Sequence, residues 1–195
     1  MKKIGVFGGT FNPPHIAHSI AAQCITEVLS LDKMLFIPSG NPPLKNSIPS
    51  AHRLAMAKLA FSDNDKFEVS EIEISSGNEK SYTVDTLNKL KILYGNVETQ
   101  LHLIIGSDNL LNLDKWKQPD KLFELAEVIV MNRPGFDHGE ADKYFADRVK
   151  FFSIPYMEIS SSEIRKLISE KRSARYMISS KVEKYISDNG LYIKQ

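Results

Sequence analysis

The stretch Ile4-Gly5-Val6-Phe7-Gly8-Gly9-Thr10-Phe11-Asn12-Pro13-Pro14-His15-Ile16-Ala17-His18 decides the fold. The apolar run Ile4–Phe7 has the character of a strand covered on both faces, as in a parallel sheet. Ile16–Leu29 has the character of a helix. The joint between them carries two glycines, which let main chain approach an anion closely. It also opens on a helix start, whose free N–H groups and dipole favour negative charge. His15 and His18 are three residues apart, so they share one helix face and can address the same oxygens. The structural alternative is a glycine turn with two capping histidines at an ordinary strand–helix joint. The combination Gly-Gly-Thr with Pro-x-His-x-x-His is more specific than that, and it points to chemistry on a nucleotide.

Other phosphate and metal motifs fit badly. Neither the G-x-G-x-x-G dinucleotide fingerprint nor the G-x-x-x-x-G-K-[ST] P-loop is present. His52, His102 and His138 are scattered, so His15 and His18 lack a third ligand at zinc spacing.

Working outward, apolar runs alternate with helical patterns. Strands are expected at Ile4–Phe7, Met34–Pro38, Phe67–Ile74, Leu101–Ile105 and Val128–Met131, with a weaker one at Phe151–Ile154. Helices are expected at Ile16–Leu29, Ala51–Phe61, Thr83–Tyr94, Asp120–Leu125, Ser161–Ser169 and Lys181–Asp188. This rhythm predicts an α/β fold, a doubly wound parallel sheet of five or six strands with right-handed crossovers. Ligands then bind beyond the carboxyl ends of the strands. From Ser160 the chain is helical and strand-free, so a small C-terminal helical extension (159–195) is expected on a sheet core (1–158) within one domain. Gly190 suits the cap of the last helix, and the charged segment Phe136–Tyr144 suits a surface loop.

Composition narrows the classes. At 195 residues the chain can bury roughly 70% of its unfolded surface, so no disulfide or metal staple is required. A net charge of +1 gives no global field toward nucleic acid or membrane. The single cysteine, Cys24, excludes an internal disulfide and suits a reducing compartment as a small buried hydrophobe. No apolar run approaches ~18 residues, and Lys2-Lys3 precedes too short a run for a signal peptide. A cytoplasmic protein is expected, with a homo-oligomer left open.

Four further constellations stand at strand ends or helix starts. In Ile159-Ser160-Ser161-Ser162-Glu163-Ile164-Arg165, a serine can cap a helix and Glu163 can complete a capping box with Ser160. Arg165 lies about one turn in, so hydroxyls, N–H groups and a guanidinium converge as for a β- or γ-phosphate. In Pro38–Lys45 the prolines can stiffen a loop that aims Lys45, although read alone the stretch is a solvated lysine in a proline-rich turn. Ser81 can cap the helix that starts near Thr83, whose hydroxyl or N–H groups can meet a carboxylate. Gly106 permits close ligand approach after a buried strand, Asp108 can accept from a ribose, and Trp116 either offers a ring face to a flat heterocycle or packs half-buried against the core.

In these motifs, in order and nearly end to end, the chain resembles the bacterial nicotinate-nucleotide adenylyltransferases, of the nucleotidyltransferase superfamily that shares H-x-G-H. The Ser81–Leu87 segment, the Trp116 region and Arg133-Pro134-Gly135 resemble the nicotinate-nucleotide branch in particular. The resemblance implies a Rossmann-like fold and transfer of an adenylyl group from ATP to nicotinate mononucleotide, with Mg²⁺ delivered by the nucleotide. It implies that Gly8, Gly9, Thr10, Phe11, His15 and His18 line the ATP site, with Gly106 and Asp108 on the adenosine part. Ile159, Ser160, Ser161 and Arg165 would flank the departing pyrophosphate. Thr83, Trp116 and the Lys117 backbone would take the nicotinate ring and carboxylate, with Lys45 and Arg133 completing the substrate side. His15, His18, Lys45 and Arg165 would stabilise charge.

The sequence departs from that pattern at several positions. Ala17 replaces the glycine of H-x-G-H, Asn12 a common aspartate, Leu44 a frequent histidine and Lys117 a frequent aromatic. Ser179-Ser180 lack the usual proline before the last helix. A sister transferase (nicotinamide mononucleotide, phosphopantetheine or a CTP-linked substrate) and a non-catalytic nucleotide sensor are the alternatives.

Overall fold

Six apolar runs form six parallel strands. The computed structural model describes residues 1–41, 47–74, 80–95, 98–132, 141–155 and 157–193. The strands are β1 (Lys2–Gly9), β2 (Lys33–Pro38), β3 (Phe67–Val69), β4 (Thr99–Gly106), β5 (Glu127–Asn132) and β6 (Lys150–Ser153). Their order across the sheet is β3-β2-β1-β4-β5-β6, and every pairing is parallel.

Strand side chains alternate between two buried layers. Ile4, Val6, Leu35, Leu103 and Ile105 pack with Val84, Leu87 and Leu90 of α3 (Thr83–Leu93) and Leu122 of α5 (Pro119–Leu125). Phe7, Phe36, Ile104 and Ile129 face the other way, onto Ala22 and Ile25 of α1 (Ile16–Val28) and Ala57 of α2 (Ser50–Ala60). Each fully buried aliphatic or aromatic side chain contributes about 1.5–3 kcal/mol, so covering both faces is what holds the sheet. The chain runs outward from β1 to β2 and β3, then crosses back to β4 on the other side of β1. That reversal opens a crevice at the carboxyl ends of β1 and β4, where ligands bind in such sheets.

The C-terminal helices α7 (Ser161–Ser169) and α8 (Ser180–Asp188) build a third apolar cluster. Ile164, Ile178, Val182 and Ile186 bury there against Met56 of α2. The Ser160 hydroxyl caps α7 by accepting from the Glu163 N–H at 3.1 Å. Gly190, at φ +57°, ends α8: its N–H donates to Ser187 O, and the Leu191 N–H donates to Ile186 O at 3.0 Å. This double bond pattern is the left-handed glycine cap.

Three local expectations change. The third strand is three residues long rather than Phe67–Ile74. Its last rung is the Ser70 N–H on Phe36 O, after which the Ile74 N–H turns back onto Glu71 O. Ile72 thereby reaches the first core cluster. The Ser107–Lys115 connection is partly helical, with α4 (Ser107–Leu110) and a 3-10 turn (Leu113–Lys115) burying Leu110 and Leu113. Of the charged segment 136–144, residues 136–140 lie outside the described residues. Its end starts the short α6 (Lys143–Ala146), because Asp142 accepts from the Tyr144 N–H at 2.9 Å and Phe145 buries into the core.

Candidate active site

The β1–α1 joint and the start of α7 meet although some 150 residues separate them. The Arg165 Nη1 donates to Asn12 O at 2.8 Å, and the Ser161 hydroxyl donates to Pro13 O at 2.8 Å. The Tyr192 hydroxyl donates to Asn12 Oδ1 at 2.7 Å, and the Ile16 N–H to Met177 O at 2.9 Å. Burial pushes the Tyr192 phenol above its ordinary pKa, so it stays a donor at neutral pH. The two phosphate-type motifs are therefore one structure, with carbonyls 12 and 13 engaged from the α7 side.

His15 and His18 lie at the mouth of α1 with rings stacked at 3.7 Å between centroids. His15 is buried and is the N-terminal cap residue; His18 is half-buried. The His15 N–H donates to His18 Nδ1 at 3.1 Å. A neutral His18 ring that accepts at Nδ1 carries its proton on Nε2. The Phe11 ring edges onto His18 at 5.2 Å and packs on Phe7, Phe36 and Phe61. Phe11 is 2% exposed. Its side chain is thus a core group that braces His18.

Next to this joint a cavity of about 290 Å³ opens at the carboxyl ends of β1 and β4. Gly8, Gly9 and Thr10 form one wall, and a Cβ placed on Gly8 would meet nothing within 4 Å. Thr83, Trp116 and Lys117 form the opposite wall. Trp116 is half-buried, its other contacts in the first apolar cluster. Lys117 Nζ pairs with Asp85 at 2.9 Å and lies 4.9 Å over the Tyr82 ring, so this side chain fastens the Trp116 turn to α3. The expected cap Ser81 lies one residue before the actual cap, which is Tyr82. The Ser81 hydroxyl is buried in the cavity wall with no hydrogen-bond partner among the described residues.

Gly106 is the residue before α4, and Asp108 is exposed with its Oδ1 folded back to 2.5 Å from where a Gly106 Cβ would stand. Ser160 is exposed and Ile159 half-buried at the start of α7. Neither Gly106, Asp108, Ile159 nor Ser160 lines the cavity, and neither do His15, His18, Ser161 or Arg165. They stand beside it, at the mouth of α1, around α4 and at the start of α7. Lys45 and Arg133 lie outside the described residues. Among the described residues no group of three or more His, Cys, Asp or Glu side chains is placed to hold a metal ion.

Several groups were not singled out from sequence. Glu73, Ser39, Thr86 and Asn109 line the cavity, with Glu73 accepting from the Thr86 hydroxyl at 2.7 Å. Glu73 lay inside the expected third strand, where an alternating pattern hides a turn. Arg53 is 1% exposed on α2, and burial pushes its guanidinium pKa below the ordinary value. No periodicity marks such an arginine; only its acceptors, on two other loops, reveal it. His102, by contrast, is buried in the middle of β4 against Glu127 at 3.0 Å, apart from the crevice.

Comparison with known proteins decides the family. The cytidylyltransferase-like family model matches residues 6–167. The chain is 40% identical over 195 residues to the nicotinate-nucleotide adenylyltransferase of Bacillus subtilis (strain 168), covering 98% of this chain and 99% of the relative. The chain belongs to the nicotinate-nucleotide adenylyltransferase family. Its fold is similar to that of Plasmodium falciparum nicotinic acid mononucleotide adenylyltransferase complexed with NaAD, at a TM-score of 0.82 and 23% identity, with 98% of each chain covered. The same Plasmodium enzyme complexed with APC gives a TM-score of 0.79 at 22% identity, again with 98% of each chain covered. Among the described residues no helix is long and apolar enough to cross a membrane.

Proposed function

We propose that this chain transfers the adenylyl group of ATP to nicotinate mononucleotide, forming nicotinate adenine dinucleotide and pyrophosphate, a step in making NAD. An oxygen of the mononucleotide 5′-phosphate attacks the α-phosphorus of ATP in line. The bond between that phosphorus and its bridging oxygen to the β-phosphate breaks, and pyrophosphate leaves with the electron pair. No protein nucleophile is needed, so the enzyme's part is positioning and charge stabilisation.

The observation that carries this reading is the joining of the His15/His18 loop to the start of α7 beside an aromatic-walled cavity. His18, with its proton on Nε2, donates to the α-phosphate as charge builds there. Arg165, Ser160 and Ser161, with Ile159 beside them, receive the departing pyrophosphate at the N-terminus of α7. The main chain of Gly8 to Phe11 and the His15 turn present the triphosphate, while Gly106 and Asp108 hold the adenosine. Across the cavity, Trp116 stacks on the pyridine ring and the Thr83 helix start, with the Lys117 main chain, takes its carboxylate. Lys45 and Arg133 complete the acceptor side. Mg²⁺ enters as part of the MgATP substrate.

The test is pyrophosphate release from ATP or CTP against nicotinate mononucleotide, nicotinamide mononucleotide and phosphopantetheine in turn. Release with ATP and nicotinate mononucleotide is the expected result. Release only with another pair reassigns the acceptor or the nucleotide. Nucleotide binding with no release by any pair makes the protein a sensor.

A further inference from the structure

Arg53 stands behind the cavity wall rather than in it, and its fork ties together three stretches of chain. Nη1 donates to Thr10 O at 3.0 Å and approaches Ser39 Oγ at 3.4 Å. Nη2 donates to Gly40 O at 2.8 Å, and Nε to Ile48 O at 3.2 Å. Thr10 belongs to the loop after β1, and Ser39 and Gly40 to the loop after β2. Thr10 and Ser39 both line the cavity. Gly40 and Ile48 stand on either side of Lys45 in the sequence.

All four acceptors are neutral, and among the described residues no carboxylate lies within ion-pair distance of Arg53. Burying a guanidinium without a counter-charge is unfavourable. Closing α2 onto the sheet does not require it, since Met56 and Ala57 on the same helix bury as apolar groups. What an aliphatic residue cannot do is hold carbonyls of two loops at once through a planar fork. The link continues beyond Gly40. A Cβ there would strike the Glu73 carbonyl oxygen, so the β2 loop is pressed onto the Glu73 main chain. The Glu73 carboxylate in turn accepts from Thr86 on α3.

We infer that Arg53 is a positioning residue that couples the ATP loop to the mononucleotide side of the cavity, so that each substrate's loop is set by the other's. The inference rests on the adenylyl-transfer reading above. Taking up ATP fixes the Thr10 carbonyl, the fork fixes Ser39 and Gly40, and the acceptor meets a wall already in place.

Arg53→Lys keeps the charge but replaces the fork with a single ammonium that cannot span these acceptors. The expected result is a rise of at least about tenfold in KM for both ATP and nicotinate mononucleotide, with kcat nearly unchanged. A merely structural role would lower the active fraction, and with it kcat, leaving both KM values alone. That result, or a change in only one KM, overturns the inference. Wild-type enzyme assayed in parallel separates the two claims: if it releases no pyrophosphate, the adenylyl-transfer reading fails and takes this inference with it. Should Arg53→Lys not fold, hydrogen exchange on the wild type decides. A non-hydrolysable ATP analogue alone should slow the amides of Gly40 and Asn41, and the mononucleotide alone those of Thr10 and Phe11. Amides that respond only to their own ligand overturn the coupling.

Discussion

The two ends of the crevice are built differently. At the end proposed for the triphosphate, polar groups are tied to one another before any ligand is considered: Arg165 to Asn12, Ser161 to Pro13, Tyr192 to Asn12 and His15 to His18. At the end proposed for the mononucleotide, the wall is an indole face, a helix start and a buried Ser81 hydroxyl with no partner among the described residues. A rigid end suits the half of the reaction where charge develops, because donors fixed in advance need no reorganisation. An end with open hydrogen-bonding capacity suits the half that must choose its acceptor, because a buried polar group left unpaired by the wrong ligand penalises it.

Breaking the rigid end should affect turnover most. His18→Ala should lower kcat at least ~10²-fold with folding retained, since the lost group acts on transition-state charge. Single-turnover rates and a thermal melt check this, and near wild-type turnover removes His18 from the mechanism. Arg165→Ala should follow. Losing a charged hydrogen bond of about 1.5–3 kcal/mol corresponds to roughly 10- to 100-fold in kcat/KM. Steady-state kinetics over a range of ATP concentrations reads it.

At the other end the effect moves to binding. Trp116→Ala should raise KM for nicotinate mononucleotide about tenfold, from loss of a base-type stack worth about 1–3 kcal/mol. KM for ATP should stay unchanged. A rise in both would mean that Trp116 does more than stack on the pyridine ring. The smallest effect belongs to Tyr192→Phe, which removes one neutral hydrogen bond to Asn12. Stability should drop by about 1 kcal/mol, seen in denaturant melts, with only a slight rise in KM for ATP. Because burial holds the phenol protonated, this contribution should not vary with pH around neutrality.

The same contrast explains what was legible in the sequence. Strands β1, β2, β4 and β5 announce themselves as apolar runs, since both faces are buried and nothing competes with that signal. The phosphate motifs are equally visible, because glycines, histidines and a serine run have a local physical reason to stand together. That Asn12 and Pro13 meet Arg165 and Ser161 is not local, and no spacing rule contains it. That the Phe11 ring enters the core is hidden for a related reason: it follows from a positive φ of 48° and from aromatic neighbours distant in the chain. Arg53 and Glu73 escaped because a buried arginine and a turn inside an alternating run look, in one dimension, like surface helix and strand. Ala17 remains a departure from the H-x-G-H pattern, and α1 forms around it without interruption.

The most direct test of the two-ended account is a structure of this chain with nicotinate adenine dinucleotide bound. The account predicts the pyridine ring on Trp116, its carboxylate at the Thr83 helix start, and the diphosphate at the mouth of α1 beside His18, on the side facing Arg165. A dinucleotide whose pyridine lies away from Trp116, or whose diphosphate contacts neither His18 nor the start of α7, would contradict it.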